Sequence, residues 1–213
     1  MIKAPFRSPN KIIVTQEFGD TSRLAYYRAN NISFPFHQGI DIVLGDGRTT
    51  YGTECVCPFP TAKVTRVDFD TPTSTKGNGV YIQADYDGSK YEVVFWHTGE
   101  IVVKVGDVVK EGDVLCYIGN SGLCNPAPTE AQPWNGSHCH LMLKKYSFDG
   151  LNWKIVDVDN GVSGARNPRE LFDFAQCYIG KDTGLIHDMW VLKQYLVSKT
   201  GDTLVKYVRM LGL

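Results

Sequence analysis

The sequence predicts a mainly β protein, with an antiparallel β-sheet or β-sandwich domain at residues 1–174 and a short helical segment at residues 175–213. Glycine is abundant, and the runs of valine, isoleucine, tyrosine and threonine are short, which favours strands joined by turns. Up to about residue 174 the apolar residues show little helical periodicity, whereas beyond it they recur at helical spacing. The apolar fraction of 43% is typical of a globular chain with a hydrophobic core.

Four strands are predicted in the first third of the chain, at residues 11–16, 37–43, 54–58 and 62–67. The polar stretch after the first of them is predicted to be a loop that runs to Phe36. The second strand is expected to begin or end at His37, and Gly45-Asp46-Gly47 after it predicts a turn. A proline turn joins the last two of these strands, at residues 54–58 and 62–67.

The middle of the chain predicts a hairpin and several tight turns. Residues 80–97 form the hairpin, with segment 85–89 as its turn. Two Gly-Asp pairs with valines next to them in the sequence, Gly106-Asp107 and Gly112-Asp113, predict further turns. The segment 123–135 contains three prolines and predicts a loop that leads into the next strand.

That next strand carries two histidines one residue apart. Side chains at i and i+2 leave the same face of a strand, so His138 and His140 are expected to point together into one site. Cys139 and Leu141 would then point the other way, into a core. A half-buried strand that happens to carry histidines is the simpler interpretation, unless other ligating residues lie close to these two. The candidates for such additional residues are His37, Asp41 and His97.

These residues suit a hydrolytic zinc site. Such a site needs three His, Asp or Glu ligands and leaves a fourth position for water, which can lose a proton near neutral pH and attack an amide. His37, Asp41 and His140 supply two imidazoles and one carboxylate. His138 and His97 remain to orient or deprotonate the water and to stabilise the oxyanion that develops.

Six blocks of the sequence, in this order, resemble the M23 metallopeptidases, the lysostaphin-like peptidoglycan endopeptidases. The resemblance runs from about Thr15 to Phe172. The blocks are residues 37–42, residues 52–58, the strand that ends at His97, residues 105–112, Gly119-Asn120-Ser121-Gly122, and His138-Cys139-His140.

The resemblance implies a role for each site residue. His37, Asp41 and His140 would be the zinc ligands, and His97 and His138 the catalytic histidines. It also implies an antiparallel β fold with a substrate groove over the metal, and peptide cross-links of bacterial cell walls as substrates. In two places the chain departs from the family pattern, and both bear on groove shape and substrate preference. Cys139 and the run 141–143 replace the usual hydrophobic and acidic residues, and the loop at 123–135 is longer than usual.

Three other functions fit parts of the sequence. The first is a non-catalytic wall-binding or structural virion module on the same fold, although members of that kind lose ligands and this chain keeps all five residues. The second is a biotinyl- or lipoyl-type carrier, which would need a lysine at a hairpin tip within its own motif. The third is a sugar-phosphotransfer carrier, which could use a histidine pair but has no need of Asp41.

The six cysteines include no Cys-x-x-Cys pair and are interpreted as small buried hydrophobes. Two alternatives stay open at this point. Cys55 and Cys57 would share one strand face, as in a soft-metal site, and a disulfide could join Cys116 to Cys124.

The remaining expectations concern partners and location. A formal charge of −1 gives no reason to expect a nucleic-acid or anionic-membrane partner. The first residues carry prolines and cations where a signal peptide needs an apolar core, and no apolar run is long enough to span a membrane. We therefore expect a wall hydrolase made without a signal peptide, encoded by a bacteriophage and acting as part of a virion or after lysis. A bacterial enzyme whose signal has been trimmed is the alternative.

The apolar stripe after residue 174 predicts a helical pair. Leu185, Met189, Leu192 and Leu196 mark the first helix, and Gly201 can end it. Such a pair either packs on its own domain or docks the enzyme, in this case onto phage tail proteins.

Overall fold

The computed structural model describes residues 1–179, which form an antiparallel sheet of 12 strands and a separate two-stranded parallel pair. In chain order the strands are β1 (Ile2–Lys3), β2 (Phe6–Arg7), β3 (Ile12–Gln16), β4 (Ile40–Leu44), β5 (Glu54–Val56), β6 (Ala62–Asp68), β7 (Asn78–Tyr86), β8 (Ser89–Ile101), β9 (Val108–Val109), β10 (Val114–Ile118), β11 (Cys139–Phe148), β12 (Trp153–Ile155), β13 (Ala165–Arg166) and β14 (Phe172–Asp173). The helices are α1 (Leu24–Ala29), α2 (Gly47–Thr50) and a 3₁₀ turn at Pro168–Glu170. The prediction of a mainly β, antiparallel fold is confirmed.

The strand order of the large sheet brings distant parts of the sequence side by side. Its main path is β2-β5-β10-β8-β11-β4-β3, and β7 also pairs with β8, followed by β6 and β9. The small parallel pair joins β1 to β14. The long strand β11 therefore lies between β4 and β8, the two strands that lead to the other predicted site residues.

The two faces of β11 have different roles, as the alternation of its side chains predicts. Cys139, Leu141 and Leu143 are fully buried in the main hydrophobic core. Met142 packs on the opposite face, in a small apolar cluster with Trp96. His140 leaves the strand on this second face, where it stacks on Trp96. A buried sheet thus supports the site from behind.

The predicted hairpin is confirmed, with a tighter turn than the sequence indicated. Strands β7 and β8 pair from Asn78 and Thr98 down to Tyr86 and Ser89, so only Asp87-Gly88 forms the loop. Both loop residues have positive φ, at 47° and 70°, as a two-residue type I′ turn requires.

Two local predictions in the first fifty residues are wrong, and a third is incomplete. Helix α1 lies within the predicted loop, but it has six residues, none of them buried, so it is too short to show a helical period. The predicted turn continues into α2, because Asp46 and Thr49 form a reciprocal capping box. The predicted strand from His37 begins only at Ile40, because residues 37–39 approach the site without joining the sheet.

The cysteines behave as the small buried residues that the composition indicated. All six are free, and all but Cys177 are buried, so the disulfide considered between Cys116 and Cys124 does not form. Cys55 and Cys57 both lie in the main core, which leaves no soft-metal site at that strand.

The chain after β14 runs back along the amino-terminal strands. The amide of Ala4 donates to the carbonyl of Gln176, and the amide of Tyr178 donates to that of Phe6. The predicted boundary at residue 174 stays a prediction, and the predicted helices from Leu185 onward lie outside the described residues. Within residues 1–179, no helix is both long and apolar enough to cross a membrane.

Candidate metal centre

Three of the predicted site residues bring one ligating atom each to a single point. The Nε2 atom of His37 lies 3.0 Å from Nδ1 of His140 and 3.1 Å from Oδ1 of Asp41. The third side of this triangle, from His140 Nδ1 to Asp41 Oδ1, is 3.0 Å. All three residues are buried.

The pairing of β4 with β11 determines this arrangement. His140 on β11 stands directly opposite Asp41 on β4, and opposite Trp96 on its other side. His37 reaches the same point from the segment before β4. Its main chain is held by Asp20 and Gly19, because the His37 amide donates to the Asp20 carbonyl and the Gly19 amide donates to the His37 carbonyl.

The tautomer of His37 follows from its backbone contact. Its Nδ1 lies 3.0 Å from the carbonyl oxygen of Glu17. A carbonyl oxygen can only accept, so Nδ1 carries the proton and Nε2 presents a lone pair to Asp41 and His140. A backbone carbonyl behind the ring is also the usual support for a metal-ligating histidine.

The protonation states suit a cation. Burial acts to raise the pKa of Asp41, but the neighbouring histidines His140, His37 and His138 together outweigh it and hold that pKa well below its usual range. Burial lowers the pKa of His140 to about 4. At neutral pH Asp41 therefore offers a carboxylate and His140 a neutral imidazole, both of which are donors that zinc accepts.

The distances also fit zinc. Tetrahedral coordination with bonds of about 2.0–2.1 Å places ligand atoms about 3.3 Å from one another. The observed separations of 3.0–3.1 Å are close to that value. His37, Asp41 and His140 could therefore hold a zinc ion with little rearrangement.

A second pair of histidines, His97 and His138, stands beside this group. Their ring centroids are 4.5 Å apart, and Nε2 of His138 lies 4.0 Å from Oδ1 of Asp41. The Nδ1 atom of each ring donates a hydrogen bond to a main-chain carbonyl oxygen. His97 Nδ1 lies 2.9 Å from the Ser121 oxygen, and His138 Nδ1 lies 2.8 Å from the Gly136 oxygen. Both Nε2 atoms are consequently left as lone pairs that can accept a proton or bind a cation.

His97 reaches the site through a β-bulge. Thr98 pairs with Asn78 and Trp96 pairs with Gly79, so His97 is an extra residue in β8 without a partner in the ladder. Its φ of 60° is left-handed, which is uncommon for histidine. A bulge of this kind redirects a side chain next to a functional site. Burial, followed by the nearby His138, lowers the pKa of His97 to about 3.

The structure brings together all five residues that the sequence singled out, whereas their division into ligands and catalysts stays a prediction. Sequence reasoning missed two neighbours. Trp96 stacks on His140 at 4.9 Å, and Cys124 lies against His97 and His138. Trp96 directly precedes a predicted site histidine, which was the available signal, but nothing in its loop sequence distinguishes Cys124.

A cleft of about 410 Å³ opens over these residues. This volume is within the range of small-ligand sites. Aromatic residues from α1 and the segment after it line the cleft, among them Tyr26, Tyr27 and Phe36. Residues of the loop at 123–135 also line it. The side-chain amide of Asn120 holds this loop by donating to the carbonyls of Pro133 and Asn135.

Comparison of the sequence with protein families gives a match. The model of Peptidase family M23 matches residues 35–153, more than half of the chain and a span that contains all five site residues. No curated protein sequence matches the chain.

Several solved structures are similar to this chain. LytU is 26% identical, with a TM-score of 0.47 over 76% of this chain and 84% of its own. The catalytic domain of the antimicrobial peptidase lysostaphin from Staphylococcus simulans is 18% identical, with a TM-score of 0.46 over 76% of this chain and 90% of its own. A chain of a SpoIIIAH and SpoIIQ complex is 18% identical, with a TM-score of 0.50 over 81% of this chain and 100% of its own.

Proposed function

Because the chain belongs to peptidase family M23, we propose that it is a zinc-dependent endopeptidase that hydrolyses peptide cross-links of bacterial peptidoglycan. One observation carries the proposal. Three ligating atoms lie 3.0–3.1 Å apart at the base of a cleft, and two histidines with free Nε2 lone pairs stand beside them. A hydrolase of amides needs both parts, a metal centre and a proton acceptor next to it.

The metal ligands in this proposal are His37, Asp41 and His140. When bound, zinc supplies a water molecule that is acidic enough to act as a nucleophile near neutral pH. The β4–β11 pairing holds Asp41 beside His140, and the Glu17 carbonyl fixes the ring of His37. The metal is therefore expected to meet ligands that are already oriented.

His138 and His97 are the proposed catalytic residues. Their Nδ1 protons are engaged by backbone carbonyls, so each Nε2 can accept a proton from an attacking water. The imidazolium that forms can then donate its proton to the leaving amine or to the oxygen that gains charge. His138 is the nearer to Asp41, and we assign it the first proton transfer.

Digestion of purified cell walls tests this function. Walls of several chemotypes, with glycine bridges or with direct links to a diamino acid, are incubated with zinc-loaded protein, and the fragments are identified by mass spectrometry. We expect new amino and carboxyl ends at one type of cross-link. His140→Ala serves as the matched control. Fragments of equal yield from both proteins, or from neither, would contradict the proposal.

The second candidate is a non-catalytic wall-binding or structural module on the same fold. The resemblance in fold to a chain of the SpoIIIAH and SpoIIQ complex leaves this function open, because fold alone does not determine activity. The complete set of five site residues favours the enzyme. Binding to walls without any new chain ends would favour the module instead.

The place of action stays a proposal. We infer a phage-encoded enzyme, either a tail-associated lysin or an endolysin, whose residues 175–213 dock onto tail proteins in the first case. Mass spectrometry of purified virions tests this directly. Recovery of the chain at a fixed ratio to tail proteins would support the tail-associated form, and its absence from virions would exclude that form.

A further inference from the structure

A second cluster of metal-ligating atoms lies next to the first. The sulfur of Cys124 and one ring nitrogen each of His97 and His138 all lie within 4.8 Å of one another. We propose that these three side chains form a second metal site, which takes a thiophilic divalent cation, in the first place Zn²⁺. This site is separate from the one formed by His37, Asp41 and His140.

Three different elements supply the ligands, and each is held in place. His97 projects from the bulge in β8, Cys124 lies in the loop after β10, and His138 directly precedes β11. The carbonyl of Ser121 contacts both Nδ1 of His97, at 2.9 Å, and the sulfur of Cys124, at 3.5 Å. One backbone group thus places the thiol beside the imidazole.

That carbonyl is itself well fixed. The hydroxyl of Ser121 accepts from the amide of Asn78 at 2.9 Å and donates to the carbonyl of Thr98 at 2.7 Å. Ser121 is therefore bonded to both strands of the β7–β8 hairpin. The Nδ1 atom of His138 has a comparable support in the Gly136 carbonyl. Such contacts behind the rings are how proteins orient metal-ligating histidines.

The donor set selects the metal. One sulfur and two imidazole nitrogens suit zinc and other soft or borderline cations, and they suit magnesium or calcium poorly. Binding exchanges the thiol proton for the metal: the S–H bond breaks, a sulfur–metal bond forms, and the proton goes to solvent. Neither oxidation nor reduction is involved.

The other cysteines do not compete for this role. Cys55, Cys116 and Cys139 are fully buried in the main core, away from the cleft face of the sheet. Cys124 is also largely buried, at 7% exposure, but its neighbours Leu123 and Asn125 line the cleft. Within residues 1–179, the clusters of potential metal ligands contain no cysteine other than Cys124.

Occupancy of this second site would block catalysis. A cation there occupies one ring nitrogen each of His97 and His138, the two imidazoles that act in the proposed reaction. Excess zinc should therefore inhibit the enzyme. This consequence rests on the proposed function, whereas the binding of the metal does not.

Sulfur-to-metal charge-transfer absorption tests the site directly. Protein holding one equivalent of zinc, kept reduced, is titrated with Co²⁺ or Cd²⁺. The first site contains no sulfur, so any thiolate band reports a cysteine whichever ion occupies that site. We expect a band that saturates at one equivalent in the native chain and is lost in Cys124→Ser. Cys177→Ser is the matched control, because its thiol lies beside Ser8 and outside the site, and it should keep the band.

Different outcomes test the binding site, its inhibitory consequence and the proposed function. No band in the native chain, or an equal band in Cys124→Ser, would overturn the site. Cys124→Ala gives the same test if the serine variant does not fold. If the band is present but excess zinc does not inhibit hydrolysis of a wall peptide, the inhibitory consequence is wrong and the binding site stands. If no wall peptide is hydrolysed at all, the proposed function fails, and the absorption result remains valid.

Discussion

Gly39 lies against His140 so closely that a single added methyl group should disturb the metal centre. A Cβ built at Gly39 would lie 2.6 Å from Nε2 of His140 and 2.5 Å from the carbonyl oxygen of Leu141. The backbone of Gly39 is not left-handed, so the expected effect of Gly39→Ala comes from space alone.

The magnitude follows from these distances. Ordinary contact begins at 3.4 Å, so the alanine requires an opening of about 0.9 Å between residue 39 and β11. The Leu141 carbonyl belongs to a central strand and cannot rotate away. Overpacking of this kind costs about 1–3 kcal/mol. For a chain of this length that corresponds to a melting temperature lower by about 2–12 °C.

The effect on zinc should be larger than the effect on the fold. A metal ligand must lie within about 0.2 Å of its proper distance, and the required movement is several times greater. We expect zinc affinity to fall at least about 10- to 100-fold, the loss seen when a supporting partner of a ligand is removed. Competition with a chromophoric chelator measures this, and thermal denaturation of the zinc-free protein measures the change in stability.

Gly47→Ala is the matched control. Gly47 lines the same cleft, but a Cβ there would meet nothing closer than 3.6 Å, from Trp134. It lies in α2, where alanine is favoured over glycine, so zinc affinity and stability should be unchanged or slightly higher. If Gly39→Ala retained the zinc affinity of Gly47→Ala, His140 would not be a ligand in its observed position.

Three further predictions address the site. His37→Ala, Asp41→Ala and His140→Ala should each lose zinc and wall hydrolysis together, as measured by metal analysis and turbidity; full zinc content in all three would disprove the ligand assignment. His138→Ala and His97→Ala should keep zinc while turnover falls by about 10²- to 10⁴-fold, and loss of metal in step with activity would mean that ligand and catalyst have been exchanged. The zinc-free protein should become less stable as the pH falls from about 7 to about 4. Burial lowers the pKa of His97 to about 3 and of His140 to about 4, below the unfolded value of about 6.5, so the unfolded chain binds more protons in this range. A melting temperature that does not change over this range would contradict that reasoning.

The part of the site that depends on the alternation of side chains along a strand could be predicted from the sequence. A strand alternates with a period of two, so the placement of Cys139 in the core and of His140 on the opposite face could be predicted from four residues. The order of glycine turns and histidines also indicated the family, and with it the antiparallel sheet. These features depend on local sequence or on a pattern spread over many positions.

The geometry that depends on register could not be predicted. His97 meets the site because it is a bulged residue whose position is determined by pairing with β7, a partner chosen by the whole sheet. His37 lies outside its predicted strand because Asp20 and Gly19 hold it instead. Cys124 lies beside two histidines only because its loop folds back over them, and a loop has no period from which to read this.

The most direct test of the central claim is anomalous diffraction at the zinc absorption edge, from crystals of the protein loaded with one equivalent of zinc. We expect one strong peak, about 2.0–2.2 Å from Nε2 of His37, from Oδ1 of Asp41 and from Nδ1 of His140. A main peak at any other group of residues, or no peak within reach of these three atoms, would contradict it.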